Sequence, residues 1–303
     1  MFSIFKLKGN DYMLVQSIID GLMLGGVYSA VAVGLSLSFG VMRVCNWAHG
    51  EVLMIAMYIA NGVVTGLGID PYLSLIITGP VMFLIGFGLQ KSLVNRLIER
   101  DSAREPMSVM MLFIGLGVVL TNLALLIFSA NIRVTNTIYT GKTFNIGEII
   151  FSLPRFISFV IALIATGVLY VFLMKSETGR ALRATSQNRV AARLMGINEK
   201  WIYSIAFGLS CGLVGVSASL TVPFFSTYPT LAGVFGFKSF VIVVLGGKGS
   251  VPGALLGGLI VGLIEKVGGF YFSDTYAQIA LFVVFILILL FRPRGLLGKE
   301  AED

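Results

Sequence analysis

The residues of this chain that could do chemistry are few, and they fall in short clusters. Val41–Met54 reads VMRVCNWAHGEVLM and holds Asn46, the single histidine His49, and Glu51. Asn46 can cap a helix whose first turns carry His49 and Glu51; a carboxylate there gains roughly 0.3–1 kcal/mol from the helix dipole. The competing reading is a polar break between helices that lines a path for a solute. His-Gly-Glu lacks the second histidine of a zinc-protease motif, so no metal site is expected. Leu245–Gly262 reads LGGKGSVPGALLGGLIVG and invites a phosphate-loop reading. It fails, because neither the glycine spacing nor a serine or threonine after the lysine is present. A tight turn is expected instead, and no cofactor is expected on this chain.

Isolated charges remain. Asp20 follows Gln16 by one helical turn, Lys238 stands near the start of an apolar run, and Glu265 and Lys266 near the end of another. A charge at membrane depth is a functional candidate, with snorkelling to the interface the other account for the lysines. No chain of acids suits proton or sodium coupling, so the energy source is expected outside the chain. Cys45 and Cys211 have no metal-ligand or disulfide spacing and read as small buried residues.

A third segment is basic. Thr178–Gly196 reads TGRALRATSQNRVAARLMG, with Arg180, Arg183, Arg189 and Arg193 between small or apolar residues that include Ala184, Ala191 and Ala192. Gly196 suits a helix C-terminus in the left-handed conformation, and Asn198 suits the N-cap of the next span. One or two short helices at the membrane surface are expected. A solvated basic loop at lipid headgroups is one role; alanines that permit close docking favour a protein partner.

The elements that position these clusters are membrane helices. Hydrophobic residues make up 56% of the 303, charged residues 12%, and mean hydropathy is +0.92. Gly21–Met42, Val52–Ile69, Pro71–Gln90, Met107–Ile132, Phe156–Met174, Trp201–Phe237 and Thr275–Phe291 contain no Asp, Glu, Lys or Arg. About 20 apolar residues cross a bilayer as a helix, and these runs are too long for barrel strands. An all-α polytopic bundle forming one domain over residues 1–303 is expected. Asp70-Pro71, Glu105-Pro106 and Leu153-Pro154 read as helix starts. Gly253/Gly257 and Gly258/Gly262 give one helix two small-xxx-small registers, and Gly212 and Gly215 add a small patch on another.

Five segments, at Arg43, Lys91–Glu105, Lys175–Lys200, Lys248 and the tail from Arg292, hold 15 of the 22 basic residues. The positive-inside rule places all five in the cytoplasm and Asn131–Pro154 outside. That pattern fits about nine spans (eight to ten), with the N-terminus out and the C-terminus in. The net charge of +7 reflects this loop bias rather than nucleic-acid binding.

Several motifs together resemble one family. Asp20–Tyr28, Ala32–Leu35 and Asn46–Glu51 look like the high-affinity branched-chain amino acid permeases of ABC transporters, of the first permease-subunit type. So do Gly179–Ala184 with Asn188-Arg189, Leu194–Asn198, Leu245–Gly247 with Gly249-Ser250, Pro252–Ala254 and Arg292–Leu296. The resemblance runs from about residue 14 to 298; Trp47 stands where phenylalanine is commoner. It implies an ABC-importer permease fold in a bacterial or archaeal plasma membrane. It also implies a second homologous permease subunit, two ATP-binding subunits that carry ATP and Mg, and a periplasmic or lipid-anchored solute-binding protein. Residues 176–200 would hold the helix that couples to the ATPase. Asn46, His49, Glu51 and Asp20 are the candidates for the path. Urea and short-chain amide permeases share these motifs. An ATP-independent channel or secondary transporter and an intramembrane enzyme are the remaining classes.

Overall fold

The computed structural model describes residues 2–100, 105–292 and 294–298. Seven described helices are long and apolar enough to cross a membrane. These are α1 (Phe2–Met42), α2 (His49–Leu67), α3 (Leu75–Leu89) with its continuation α4 (Asn95–Arg100), α5 (Glu105–Phe128), α6 (Leu153–Lys175), α9 (Glu199–Thr221) and α11 (Val251–Tyr271). The chain is therefore a multi-pass helical membrane protein. Two further apolar helices, α10 (Leu231–Gly246) and α12 (Asp274–Phe291), are shorter. The expectation of about nine spans is thus met by length and composition for seven. Between α6 and α9 lie two short surface helices, α7 (Glu177–Gln187) and α8 (Arg189–Leu194).

The all-α polytopic bundle is as expected, and Thr143–Ile146 (β1) and Ile149–Ser152 (β2) add one small antiparallel hairpin to it. Gly147 turns it at φ +64°, and Phe144 stacks on Phe151 across it, ring centroids 5.0 Å apart. Two local expectations are corrected: the span over Pro71–Gln90 starts later and runs on further. A π-turn at Gln90–Val94 carries α3 into α4, because buried Gln90 donates to Asn95 and Asn95 donates to the Lys200 carbonyl and the Ser204 hydroxyl of α9. Asp70 and Pro71 form a turn before α3 rather than its first residues: the Asp70 carboxylate accepts from the Tyr72 N–H at 2.8 Å, and α3 opens at Leu75.

Helix α1 is the axis of the bundle and packs against α11, α9, α6 and α10, while α3 lies along the other side of α9. Glycines set the close approaches. A Cβ at Gly257 would lie 2.7 Å from the Ile242 carbonyl of α10, and one at Gly25 of α1 would lie 2.7 Å from the Gly258 carbonyl of α11. The two small-residue registers of α11 therefore serve two different neighbours. Ser29 of α1 seals the contact by donating to the Leu255 carbonyl at 2.8 Å.

The five basic segments meet at one end of the bundle. Arg43 donates to the Ser186 and Gln187 carbonyls, Lys200 pairs with Glu99 at 2.6 Å, and Lys248 lies over the Phe39 ring. The tail returns there too, Leu296 and Leu297 donating to the Leu245 and Gly246 carbonyls at the end of α10. The opposite end gathers the 129–152 connection. Asn61 bonds Thr135, Arg133 bridges Thr227, and Gln16 bonds the Ile150 backbone.

Candidate translocation site

Helix α1 ends where Arg43 takes a left-handed φ of +57° and its N–H bonds the Phe39 carbonyl. The chain from 44 to 48 then turns back into the bundle without helical structure. Asn46 does not cap α2 directly. Its side-chain oxygen accepts from the Ala48 N–H at 3.0 Å, its carbonyl accepts from the His49 N–H, and Ala48 occupies the N-cap position. The Asn46 amide nitrogen is buried with no partner among the described residues.

Helix α2 therefore begins deep inside. The His49 Nε2–H donates to the Val31 carbonyl at 3.0 Å, about three turns before the end of α1. Gly50 touches the backbone of Ala232 in the first turn of α10, and only a glycine fits there. Glu51 lies against Gly117 in the middle of α5; a Cβ on Gly117 would be 3.3 Å from its carboxyl carbon. Non-helical backbone at such depth is tolerated where protein covers it or a cavity takes it up.

The three residues singled out by sequence part company at this point. Asn46 and His49 are 3% and 2% exposed and brace the break from behind. Glu51 is half-buried and faces a lateral hollow of about 340 Å³ lined by Trp47, Ile114, Gly117, Val118, Thr121 and Asn122. No described cation lies within ion-pair distance of its carboxylate. Trp47 stacks on Phe240, centroids 5.7 Å apart, and forms one wall. Asp20 is elsewhere, at the opposite end from the basic segments. It pairs with Arg155 at 3.5 Å, accepts from Gln16 at 3.2 Å, and lines a separate open hollow of about 400 Å³ beside the hairpin.

The segment 176–200 folds as two capped helices. Ser176, Asn188 and Asn198 accept from the Gly179, Ala191 and Trp201 N–H groups. Gly196, at φ +83°, closes α8 with paired bonds, Gly196 N–H to the Arg193 carbonyl and Ile197 N–H to the Ala192 carbonyl. Several side chains expected at a partner's surface turn inward instead. Ala192 is 4% exposed, Arg183 donates to the Leu173 carbonyl, and Arg189 donates to the Met42 carbonyl while lying over the Tyr203 ring. Arg193 pairs with Glu199 at 2.6 Å, Arg180 with Glu177 at 3.5 Å, and Ala184 is half-buried. Inward turning has a physical cause: carbonyls at the ends of α1 and α6 lack helical partners and attract cations. The outward face includes Ala191 with Val190, Leu194 and Met195, the last three 67%, 83% and 82% exposed, and the Arg180 and Arg193 side chains also remain exposed there. The GGKGS run is the expected turn, with Ser250 capping α11 by accepting from the Gly253 N–H.

One cluster escaped the sequence reading. Lys238 lies mid-way along α10 and is 9% exposed, so it does not snorkel. It donates to Glu265 of α11 at 2.7 Å and to the Tyr28 hydroxyl of α1 at 3.0 Å. Tyr28 and Glu265 are 3.2 Å apart. The signal was present as two opposite charges in apolar runs, but the span boundaries placed both too near the interface.

Known proteins are similar to this chain in sequence. The family described as branched-chain amino acid transport system, permease component, matches residues 17–291. The permease protein BraD of Pseudomonas aeruginosa, from a high-affinity branched-chain amino acid transport system, is 32% identical over 96% of this chain and 98% of its own. LivH of Salmonella typhimurium, described in the same terms, is 29% identical over 95% and 97%. A probable LivH of Methanocaldococcus jannaschii is 30% identical over 89% and 88%. With a match over most of its length and a multi-pass helical bundle to go with it, the chain belongs to the family of permease components of branched-chain amino acid transport systems, and is a transport subunit rather than an enzyme.

Proposed function

We propose that this chain imports branched-chain amino acids across a bacterial or archaeal plasma membrane, as one permease subunit of a complex driven by separate ATP-binding subunits. The observation that carries the substrate class is the Glu51 hollow. It sets one carboxylate, with no described cation beside it, among Trp47, Ile114 and Val118, with Thr121 and Asn122 close by. That mixture suits an ammonium group joined to a small branched apolar side chain. A neutral urea or short amide would leave the carboxylate without a countercharge at bilayer depth, where an unpaired charge is costly.

The hollow is open on one side because most of α5 is exposed: Ile114 and Val118 are 48% and 59% exposed. A second, homologous permease subunit closes it in this reading. The patch Val190, Ala191, Leu194 and Met195 docks on an ATP-binding subunit that holds ATP and Mg, within a single permease domain whose coupling segment is 176–200. The solute-binding protein delivers the amino acid at the opposite end, near Asp20 and the hairpin. The experiment is ATP-dependent uptake of labelled leucine by the assembled complex in liposomes containing the solute-binding protein. Isoleucine and valine are expected to compete, urea and acetamide are not. Uptake of urea in preference to leucine overturns the substrate assignment.

A further inference from the structure

We propose that Tyr28, Lys238 and Glu265 form a charge clamp that positions α10 against the start of α2, and that transport depends on its polarity rather than on its volume. The inference rests on the translocation reading of the Glu51 hollow. Three helices supply one group each, so the cluster ties α1, α10 and α11 together at one point. The cluster is satisfied: the ammonium meets a carboxylate and a phenol, and the phenol meets the other carboxylate oxygen. Its side chains are nonetheless expensive to place there. Lys238 and Glu265 retain only 11% and 23% of their side-chain exposure, and a hydrophobic pair of equal size would hold the helices at lower cost.

Place points to the use. Phe235 packs edge-on against Tyr28, centroids 5.7 Å apart, one turn before Lys238. Gly236, between them, meets Gly50; a Cβ on Gly236 would lie 3.3 Å from the Gly50 Cα. The stretch that bears the clamp is therefore the stretch on which the first turn of α2 rests, and Glu51 is the next residue. An ion pair holds α10 by a directional interaction with a discrete broken state, whereas apolar packing there would hold it in one position. Neither Lys238 nor Glu265 faces the hollow, so both are positioning residues.

The test uses the complete complex in liposomes and reads leucine uptake, ATP hydrolysis, the ratio of the two, and thermal stability. Lys238→Met with Glu265→Met replaces the pair by side chains of similar volume. The expected result is an assembled complex, at least as stable as the wild type, whose uptake per ATP hydrolysed falls tenfold or more. The exchanged pair, Lys238→Glu with Glu265→Lys, is expected to recover part of that ratio, and Tyr28→Phe to lower it several-fold. Wild-type uptake and coupling in the double methionine variant overturns the proposal. If that variant fails to assemble, the exchanged pair and Tyr28→Phe decide, and a wild-type ratio in Tyr28→Phe with no recovery in the exchanged pair overturns it. Glu51→Gln is measured in parallel. Loss of uptake there with normal coupling in the clamp variants defeats the clamp alone; normal uptake in Glu51→Gln defeats the path reading beneath it.

Discussion

Two acids lie deep in the bundle, and their surroundings differ. Glu265 is paired with Lys238 and Tyr28 and held, partly buried, among α1, α10 and α11. Glu51 stands at the first turn of α2 beside an open hollow, without a described cation partner. A charge in hydrocarbon must be neutralised by something. Where the protein supplies the partner, the group fixes helices relative to one another. Where it does not, as at Glu51, the proposed reading leaves the group for a solute. The contrast is what the positioning role proposed for Glu265 and the binding role proposed for Glu51 rest on.

The largest effect that sharpens this contrast is expected on the paired side. Lys238→Met leaves Glu265 buried with only a phenol for company, and breaking one half of a buried pair costs about 3–5 kcal/mol. Loss of folded subunit from detergent extracts, or a clear fall in melting temperature, is expected. Glu51→Gln is expected to leave the melting temperature within the scatter of the wild type, because no partner is orphaned. An equal loss of stability in both variants would erase the distinction.

The second effect is on transport. Glu51→Gln keeps the side chain's size and removes its charge, so leucine uptake by the assembled complex is expected to fall about tenfold or more. That factor corresponds to the loss of about 1.4 kcal/mol of interaction with a bound ammonium group. His49→Gln should fall less, since His49 braces the break through a single bond to Val31 and does not face the hollow. Unchanged uptake in Glu51→Gln would return the carboxylate to a simple interaction with the helix dipole.

How far the sequence foretold this arrangement depends on range. Long uncharged runs specify spanning helices locally, so the bundle was legible, as were the caps at Asn198 and Gly196, which need only adjacent residues. The polar break at Asn46–Glu51 was legible as a cluster but not in depth, because its distance from the membrane surface depends on the contacts with Val31, Ala232 and Gly117. The same limit hid the clamp, where Tyr28 and Lys238 are separated by most of the chain. Asp20 showed the reverse. It is grouped by polarity with Asn46, His49 and Glu51 as a candidate for the path, and the fold sets it beside Arg155 and the hairpin, away from all three. In 176–200 the arginines resembled a partner surface, but whether an arginine turns outward depends on which helix ends happen to lie beside it.

Two arginines at the junction of α1 with the surface helices give the smallest expected effect, and it connects the surface to the deep break. Arg43, where α1 ends, donates to the last carbonyls of α7, at Ser186 and Gln187. Arg189, which opens α8, donates back to the Met42 carbonyl. The exchange fastens the surface helices to the point where the chain turns in toward Asn46 and α2. A partner pushing on Val190, Leu194 and Met195 would move that junction directly. Each bond joins a charged donor to a backbone acceptor and is worth about 1.5–3 kcal/mol when buried, less where solvent reaches it as it does at Arg43. Arg189→Ala is therefore expected to leave the bundle folded and to lower leucine uptake several-fold while ATP hydrolysis continues. Arg43→Ala should act in the same direction and more weakly. The double variant should add little to Arg189→Ala if both bonds serve one junction. Ala191→Trp, on the outward face, is expected instead to reduce uptake and stimulated hydrolysis together by hindering docking. Equal loss of uptake and hydrolysis in Arg189→Ala would place that arginine in the docking surface and break the link between the surface helices and the Glu51 hollow.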